Sequence, residues 1–218
     1  MSKRRDTVRH PIFARTYARV GAAAEGKGAA EHRAEMLAGL TGRVIEVGAG
    51  TGLNFRHYPP GVTEILAVEP EPLLRKLATE EADGTDVPVE VVDGRVVPEV
   101  EPGPRADASF DAGVASLVLC SVRDQAAALA EVFRVIRPGG ELRFYEHVVA
   151  ESARFARFQR AADVVWPLCG GGCHASRDTL AAIERAGFVV EQVRRFRFVP
   201  CFVARPVAPH ILGIARRP

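Results

Sequence analysis

Short apolar runs alternate along the chain with longer stretches whose apolar positions recur at helical spacing. The short runs predict seven strands, at residues 43–47, 64–68, 87–92, 110–114, 141–149, 188–198 and 210–215. The longer stretches predict helices at residues 26–40, 70–80, 124–136, 152–165 and 177–186, and a further helix that opens near Gly52. Alternation of this kind is typical of a parallel sheet covered by helices. We therefore expect an α/β fold: a doubly wound, mostly parallel seven-stranded sheet with helices on both faces.

Helix boundaries and chain length support one domain. Pro70 stands where a missing N–H costs least, Pro138-Gly139-Gly140 is a stop signal after the helix at 124–136, and Gly187 follows the last helix. We find no internal repeat and no low-complexity linker. A chain of 218 residues can bury one sizeable core. We expect a single domain over residues 1–218, with residues 1–25 as an N-terminal segment.

Composition and charge narrow the class of protein. Hydrophobic residues make up 47% and charged residues 26% of the chain, as in a globular enzyme. The formal net charge of +2 is too small for a dedicated nucleic-acid binder. A short basic cluster near the start is best explained as a solvated terminus: Lys3, Arg4, Arg5 and Arg9. We expect a small-molecule partner and no nucleic acid.

The N-terminal residues and the cysteines indicate the cellular compartment of the protein. The first 13 residues show no apolar signal-peptide core, and the longest apolar stretch, at 112–120, is far too short to cross a bilayer. Four cysteines in a chain of this length do not suggest a disulfide framework. We expect reduced thiols, a cytoplasmic protein and no membrane contact.

A glycine-rich loop follows the first predicted strand. Gly48, Gly50 and Gly52 allow a sharp turn and bring backbone N–H groups close to a ligand. The spacing differs from the dinucleotide pattern G-x-G-x-x-G, because the third glycine comes one residue early. This indicates a group smaller than a pyrophosphate, although the glycines could also serve only a structural turn.

Acidic residues stand at or near the ends of the first three predicted strands. Glu69 could accept both hydroxyls of a ribose, or cap the helix that follows it. Asp93 could accept an adenine N–H with Gly94 along the base edge, or the pair could form a turn. Glu46 lies inside a buried strand and needs a partner, for which a ligand ammonium would serve. The carboxyl ends of parallel strands meet at one rim, where folds of this kind bind ligands, so we expect these acidic residues to lie close to the glycine loop. The combination favours a nucleoside ligand.

These motifs together resemble the class I, Rossmann-like S-adenosylmethionine-dependent methyltransferases. Within that family, three runs resemble the methyltransferase-like alkyl-thiol methyltransferases: residues 50–61, residues 116–122 with 131–148, and a tail with Asp163, Trp166, Cys173 and Arg177. Animal members of that group carry an N-terminal apolar anchor, which this chain does not show. The resemblance implies S-adenosylmethionine as cofactor and a small-molecule acceptor, with a thiol favoured over an oxygen or nitrogen group. A nucleotide-binding oxidoreductase or a silent binding module is the alternative.

The resemblance also implies roles for residues. Gly48, Gly50 and Gly52 would line the methionine end of the cofactor, Glu69 the ribose, and Asp93 with Gly94 the adenine. Ser116 and Leu117, after the fourth strand, would hold the methionine moiety through backbone groups.

Two residues are candidates for acting on the acceptor. His147 follows Glu146 at the end of the fifth predicted strand, where it could act as a base or orient the acceptor. One of the two must face a neighbouring helix instead, since strand neighbours point to opposite sides. Asn54 is the second candidate, with helix capping as its alternative role.

The segment at residues 166–178 contains three consecutive glycines between Cys169 and Cys173-His174. We interpret it as part of a cover over the acceptor pocket, within residues 151–186, with Trp166 as an apolar wall. A metal site, arsenite methylation and inert packing are the alternatives. Three ligands at an uncommon spacing are weak support for a metal, so we expect none.

Overall fold

A computed structural model describes residues 11–94 and 108–218. The basic cluster at residues 3–9 lies outside them. The described residues contain seven strands: β1 Gly42–Val47, β2 Val62–Val68, β3 Val89–Val92, β4 Phe110–Ser116, β5 Ile136–His147, β6 Val189–Arg197 and β7 Pro209–Arg216. The α-helices are α1 Pro11–Ala24, α2 Ala30–Leu37, α3 Pro72–Ala82, α4 Gln125–Val135, α5 Ala153–Ala162, α6 Trp166–Cys169 and α7 Thr179–Arg185.

The strands form one sheet in the order β3-β2-β1-β4-β5-β7-β6. The first five strands are parallel, and β7 runs antiparallel to both β5 and β6. The predicted mostly parallel, seven-stranded sheet is therefore confirmed. The strand order reverses between β1 and β4, and at such a point the carboxyl ends of two adjacent strands open a crevice.

Helices cover both faces of the sheet, and each face has its own core. On one face, Met36 and Leu37 of α2 and Ala78 of α3 are buried with side chains of the central strands. On the other face, Leu129 and Val132 of α4 pack with Ile183 of α7. The two cores follow from the alternation of side chains along each buried strand.

The N-terminal part differs from the prediction. The residues predicted as one helix at 26–40 form a kinked segment, Glu25–Ala29, followed by α2. Gly28 adopts φ +111°, which breaks the helical path. Helix α1, which precedes it, was not predicted.

The helix predicted to open near Gly52 is wrong. Only a short 3₁₀ turn, Phe55–His57, follows the glycine loop. Gly50 and Gly52 have φ values of +60° and +82°, outside the helical region, and Pro59-Pro60 prevent extension because proline lacks the N–H that a helix needs.

Strand β5 begins five residues before the predicted start at 141. Residues Arg137 to Gly140 extend the strand instead of forming a loop, with a shift of register between Phe110 and Ala112 of β4. The N–H of Gly139 donates to the carbonyl of Arg217, and the N–H of Arg217 donates to that of Gly140. These hydrogen bonds involve Arg217, which is distant in sequence, so the local Pro-Gly-Gly motif could not predict the longer strand.

Candidate functional site

The glycine loop leaves β1 and turns across the end of β2. The N–H groups of Gly48 and Ala49 both donate to the carbonyl of Val68, at 2.8 and 3.2 Å. Gly48 has φ +64°, and a Cβ added to it would lie 2.2 Å from Cγ2 of Val118. Only glycine fits there, because both the backbone conformation and the space exclude a side chain.

Glu69 joins this loop to the helix that follows β2. Its Oε2 accepts from the N–H of Gly50 and its Oε1 from the N–H of Glu71, both at 2.8 Å. Glu71, not Glu69, caps α3, so the capping alternative for Glu69 is wrong; the helix also starts at Pro72 instead of residue 70. Burial raises the pKa of Glu69 to about 7, against the effect of the two N–H groups. Each carboxylate oxygen retains a lone pair for a hydroxyl.

Glu46 has the partner that its buried position requires. Asn54 Nδ2 donates to Oε1 of Glu46, and the hydroxyl of Tyr58 donates to Oε2, both at 2.8 Å. Burial raises the pKa of Glu46 to about 7, and these two hydrogen bonds oppose the increase. The side chain of Asn54 makes no cap hydrogen bond, so that alternative is wrong. Asn54 instead belongs to the network around Glu46.

Arg33 of α2 completes this network from the other side. Its Nη1 donates to Oδ1 of Asn54 at 2.7 Å and to Oγ of Ser116 at 3.0 Å, and its Nε pairs with Glu25 at 3.0 Å. Arg33 is buried, as few arginines are. The rim therefore places a cation and the Glu46 carboxyl on opposite sides of Asn54. Sequence reasoning missed Arg33, because an arginine in an amphipathic helix is expected on the solvated face.

The chain turns abruptly after β4. Leu117 has φ +54°, an uncommon conformation for leucine, and its N–H donates to the carbonyl of Tyr145 at 2.7 Å. Such strain persists only where the surroundings impose it, and it clusters at functional sites. Ser116 and Leu117 thus stand at the crevice between β1 and β4.

Asp93 and Gly94 follow β3 on the same rim, two strands away from β1. The side chain of Asp93 is exposed and pairs with Arg75 of α3 at 3.3 Å. Its oxygens are reachable from the rim, in contrast with those of Glu46. The residues that follow, 95–107, lie outside the described part of the chain.

Helix α1 crosses above the rim. A Cβ added to Gly50 would lie 3.2 Å from the ring of Tyr17, and one added to Gly171 would lie 2.5 Å from the ring of Phe13. The two rings are 5.5 Å apart. Helix α1 therefore extends from the glycine loop to the segment at 166–178 and covers the space between them.

Glu146 and His147 point to opposite faces at the end of β5. Oε1 of Glu146 accepts from the N–H groups of Val118 and Leu119, both at 2.9 Å, which holds the loop after β4. Burial raises the pKa of Glu146 to about 7, against these two bonds. His147 faces the other way, and its Nε2 lies 3.1 Å from Sγ of Cys173. Of the two residues, His147 is the one that contacts the segment at 166–178.

In the structure Cys173 lies next to Cys120 and His147. The metal alternative had instead grouped Cys173 with its sequence neighbours Cys169 and His174. Cys169 is exposed, whereas Cys120, His147 and Cys173 are buried and their ligand atoms lie within 4.8 Å of one another. Nε1 of Trp166 donates to Sγ of Cys173 at 3.1 Å, and the role of its ring as an apolar wall stays a prediction.

The segment after α6 is fixed to the loop after β4. The N–H of His174 donates to the carbonyl of Cys120 at 3.0 Å, and Nη1 of Arg177 donates to the carbonyls of Leu119 and Val122, both at 2.7 Å. The predicted cover at 151–186 thus reaches the rim, and its role over an acceptor stays a prediction.

Comparison with known sequences identifies the family. A family model described as a methyltransferase domain matches residues 45–144. The chain is 38% identical to rat thiol S-methyltransferase TMT1B, over 79% of this chain and 69% of that protein. It is 37% identical to human thiol S-methyltransferase TMT1A, over 82% and 73%. The chain belongs to this methyltransferase family. The resemblance predicted from the motifs is confirmed.

Solved structures share the fold of this methyltransferase. A SAM-dependent methyltransferase of Thermotoga maritima has a TM-score of 0.66 at 21% identity, over 95% of this chain and 98% of that one. One from Mesorhizobium loti has a TM-score of 0.60 at 23% identity, over 91% and 100%. Within residues 11–94 and 108–218, no helix of the methyltransferase combines the length and the apolar character needed to span a membrane.

The rim fits the cofactor of this family. A methionine end carries one positive and one negative group, and the rim holds Glu46 and Arg33 on the two sides of Asn54. Glu69 has acceptor capacity left for a ribose, and Gly48 permits a close approach of the backbone. Buried ionisable groups of perturbed pKa in a crevice are typical of functional sites.

Proposed function

We propose that this methyltransferase transfers the methyl group of S-adenosylmethionine to the sulfur of a small-molecule thiol. Support for the acceptor comes from relatives named thiol S-methyltransferases, which are 37% and 38% identical over about 70% of their own length. Support for a small acceptor comes from the net charge of +2, which is too small for a dedicated nucleic-acid binder.

One observation carries the cofactor assignment: Glu46 and Arg33, buried and of opposite charge, flank Asn54 beside the glycine loop. We assign Glu46 to the ammonium group of the methionine moiety and Arg33 to its carboxylate. The glycine loop and the turn after β4 surround that moiety, and the other strand ends hold the nucleoside. The assigned residues are Gly48, Gly50, Gly52, Ser116 and Leu117 for methionine, Glu69 for the ribose, and Asp93 with Gly94 for adenine.

The cofactor supplies a methyl group activated by a sulfonium, so the protein has positioning to do and no bond of its own to form. A thiol with a pKa near ~8.5 already supplies some thiolate, and a strong base is unnecessary. Helix α1 and the cover at 151–186 exclude water from the crevice, which strengthens the electrostatic contacts inside it. His147 acts on the acceptor, whereas Asn54 acts as a positioning residue that holds Glu46 and Arg33 in place.

The test is a competition among acceptors. The purified protein is incubated with cofactor labelled in its methyl group and with a panel of thiols, phenols and amines of matched size, and products are separated and identified. We expect S-methylated thiols to dominate, with the highest kcat/KM. Transfer to phenols or amines with thiols inert would contradict the proposed acceptor and leave the cofactor assignment standing.

The cysteines support a reducing compartment such as the cytoplasm. All four are free, and the sulfurs of Cys120 and Cys173 stay unlinked although they lie within 4.8 Å of each other. Thiols this close are readily oxidised outside a reducing environment. Fractionation of cells that express a tagged protein tests this location.

A further inference from the structure

The sulfur of Cys173 lies beside three polar groups that can form hydrogen bonds with it. Nε2 of His147 and Nε1 of Trp166 each lie 3.1 Å from it, and the thiol of Cys120 faces it from the loop after β4. Indole nitrogen can only donate, so the bond from Trp166 makes the sulfur an acceptor. A sulfur that accepts from several sides is stabilised as a thiolate.

The pKa shifts of Cys173 and His147 support a thiolate on Cys173. The Cys120 thiol lowers the pKa of Cys173 to about 4, with help from His147 and Trp166 and against burial. Burial alone would lower the pKa of His147, but the bond to Cys173 and its charge raise it. A buried charge is tolerated when an opposite charge lies beside it, and the two charges here cancel.

The remaining nitrogen of His147 is unpaired within the described part of the chain. Its Nδ1 is buried and has no hydrogen-bond partner within residues 11–94 and 108–218. His210, the cross-strand neighbour on β7, bonds instead to the carbonyl of Ala208, and burial lowers its pKa to about 3, so that it is neutral. Buried polar atoms are normally satisfied, so Nδ1 indicates a partner other than the described residues, and an acceptor bound in the site would serve. The hydroxyl of Tyr145, two residues earlier on the same face of β5, is unpartnered in the same way.

We propose that Cys173 and His147 form a thiolate–imidazolium pair, which keeps a proton on Nδ1 of His147 so that it donates to the sulfur anion of the acceptor. This inference rests on the proposed function. Cys173 is then a positioning residue, which acts through His147. The titratable groups that influence the charge of the imidazole are Cys120 and Cys173 from the two loops, Glu146 on the opposite face of β5, Asp163 after α5 and His210 on β7.

The proton and electron balance is simple. The acceptor thiol releases its proton to solvent and binds as a thiolate against Nδ1–H of His147. Its sulfur forms a bond to the methyl carbon as the methyl–sulfonium bond breaks, which gives a thioether and S-adenosylhomocysteine. His147 keeps both protons and Cys173 keeps its charge throughout, so neither residue has to be regenerated.

A metal ion is the competing explanation for this cluster. Around tetrahedral zinc, metal distances of about 2.0 Å to nitrogen and 2.3 Å to sulfur separate the two ligands by roughly 3.5 Å. The distance of 3.1 Å between His147 and Cys173 is shorter and matches a direct hydrogen bond. The geometry therefore favours the ion pair, and zinc becomes an outcome of the test.

The first experiment needs no turnover. The ultraviolet absorbance of a thiolate is followed with pH in the wild-type protein and in Cys173→Ser, with Cys169→Ser as an exposed control from the same segment. We expect thiolate absorbance at neutral pH that disappears only near pH 4, is absent from Cys173→Ser and is unchanged in Cys169→Ser. Nitrogen NMR of His147 should show an imidazolium whose Nδ1 signal moves when S-adenosylhomocysteine and 2-mercaptoethanol are added together.

The second experiment is the pH profile of kcat/KM with 2-mercaptoethanol. In wild type we expect kcat/KM to fall at high pH, which forms the basic limb of the profile. Cys173→Ser should move this limb to lower pH by about one unit, so that kcat/KM at a given pH on the limb is about tenfold lower. Cys173→Asp, which restores an anion, should move the limb back towards wild type. A merely structural role would not produce this rescue.

Several results would overturn the inference. They are a protonated Cys173 or a neutral His147 at neutral pH, an Nδ1 signal that ignores the added thiol, the same basic limb in wild type and Cys173→Ser, or stoichiometric zinc in the purified protein. A thiolate and an imidazolium that respond to the thiol, in a protein that methylates no thiol, would instead refute the proposed function alone.

Discussion

Replacement of Glu46 by glutamine separates two effects of its buried charge: the loss of folding stability that the charge causes and the contribution that it makes to cofactor binding. Glutamine has nearly the same shape, and its oxygen can still accept from Asn54. Its amide nitrogen can only donate to the oxygen of Tyr58, so the bond that the Tyr58 hydroxyl donates to Glu46 is lost. The substitution therefore reproduces the neutral, protonated form of Glu46 in place of its charged form. We expect Glu46→Gln to stabilise the cofactor-free protein at pH 8 and to weaken cofactor binding.

The magnitude follows from the pKa of Glu46. Its rise from 4.5 to about 7 means that the folded protein binds more protons than the unfolded chain in that range. Unfolding free energy is thus unaffected below about pH 4.5, falls as pH rises through the range, and is lower by about 3 kcal/mol above pH 7, at about 1.4 kcal/mol per pH unit. Loss of a charge-assisted bond to the ammonium group costs about 1.5–3 kcal/mol of binding, or roughly 10–150-fold in Kd.

Urea unfolding of both proteins at several pH values between about 5 and 8 measures the first effect, and titration calorimetry with S-adenosylmethionine at pH 8 measures the second. The two curves of stability against pH should converge at acid pH and separate at alkaline pH. Equal stability of the two proteins at pH 8 would show that Glu46 carries no costly charge, and an unchanged Kd would show that it does not bind the ammonium group.

Three further substitutions test other parts of the site. Gly48→Ala should lose about 1–3 kcal/mol of stability and most cofactor binding, because Gly48 has φ +64° and a Cβ there would clash with Val118. Thermal unfolding with and without cofactor measures both effects. An unchanged unfolding midpoint in the cofactor-free variant would contradict the expectation. Arg33→Met should raise the Kd of the cofactor at least tenfold by calorimetry, with a smaller effect on adenosine, which lacks the carboxylate; an equal loss for both ligands would argue against the assignment. Tyr145→Phe should leave stability and cofactor Kd unchanged, since the hydroxyl has no partner in the described part of the chain, but should raise KM for the thiol in steady-state assays; an unchanged KM would remove Tyr145 from the acceptor site.

Strand positions and the residues at strand ends were predictable because their signals are local. Apolar runs and glycine spacing gave the sheet, and the order of motifs placed Glu69 and Asp93 on one rim. The helix expected near Gly52 failed because positive φ values and two prolines decide that segment, and amphipathic spacing does not report either. Helix α1 was missed because its contacts, with Gly50 and Gly171, lie far away in sequence.

A mostly parallel sheet with a glycine turn and carboxylates on its rim could be predicted from local patterns, since periodicity and turn chemistry depend on near neighbours. Which charges and sulfurs meet depends on contacts between elements that are distant in sequence. Arg33 joins Asn54 and Ser116 across 21 and 83 residues, and Cys173 meets His147 across 26. Such pairs form where separate elements converge at the rim, and the cost of burying each group alone leaves the paired arrangement as the stable one.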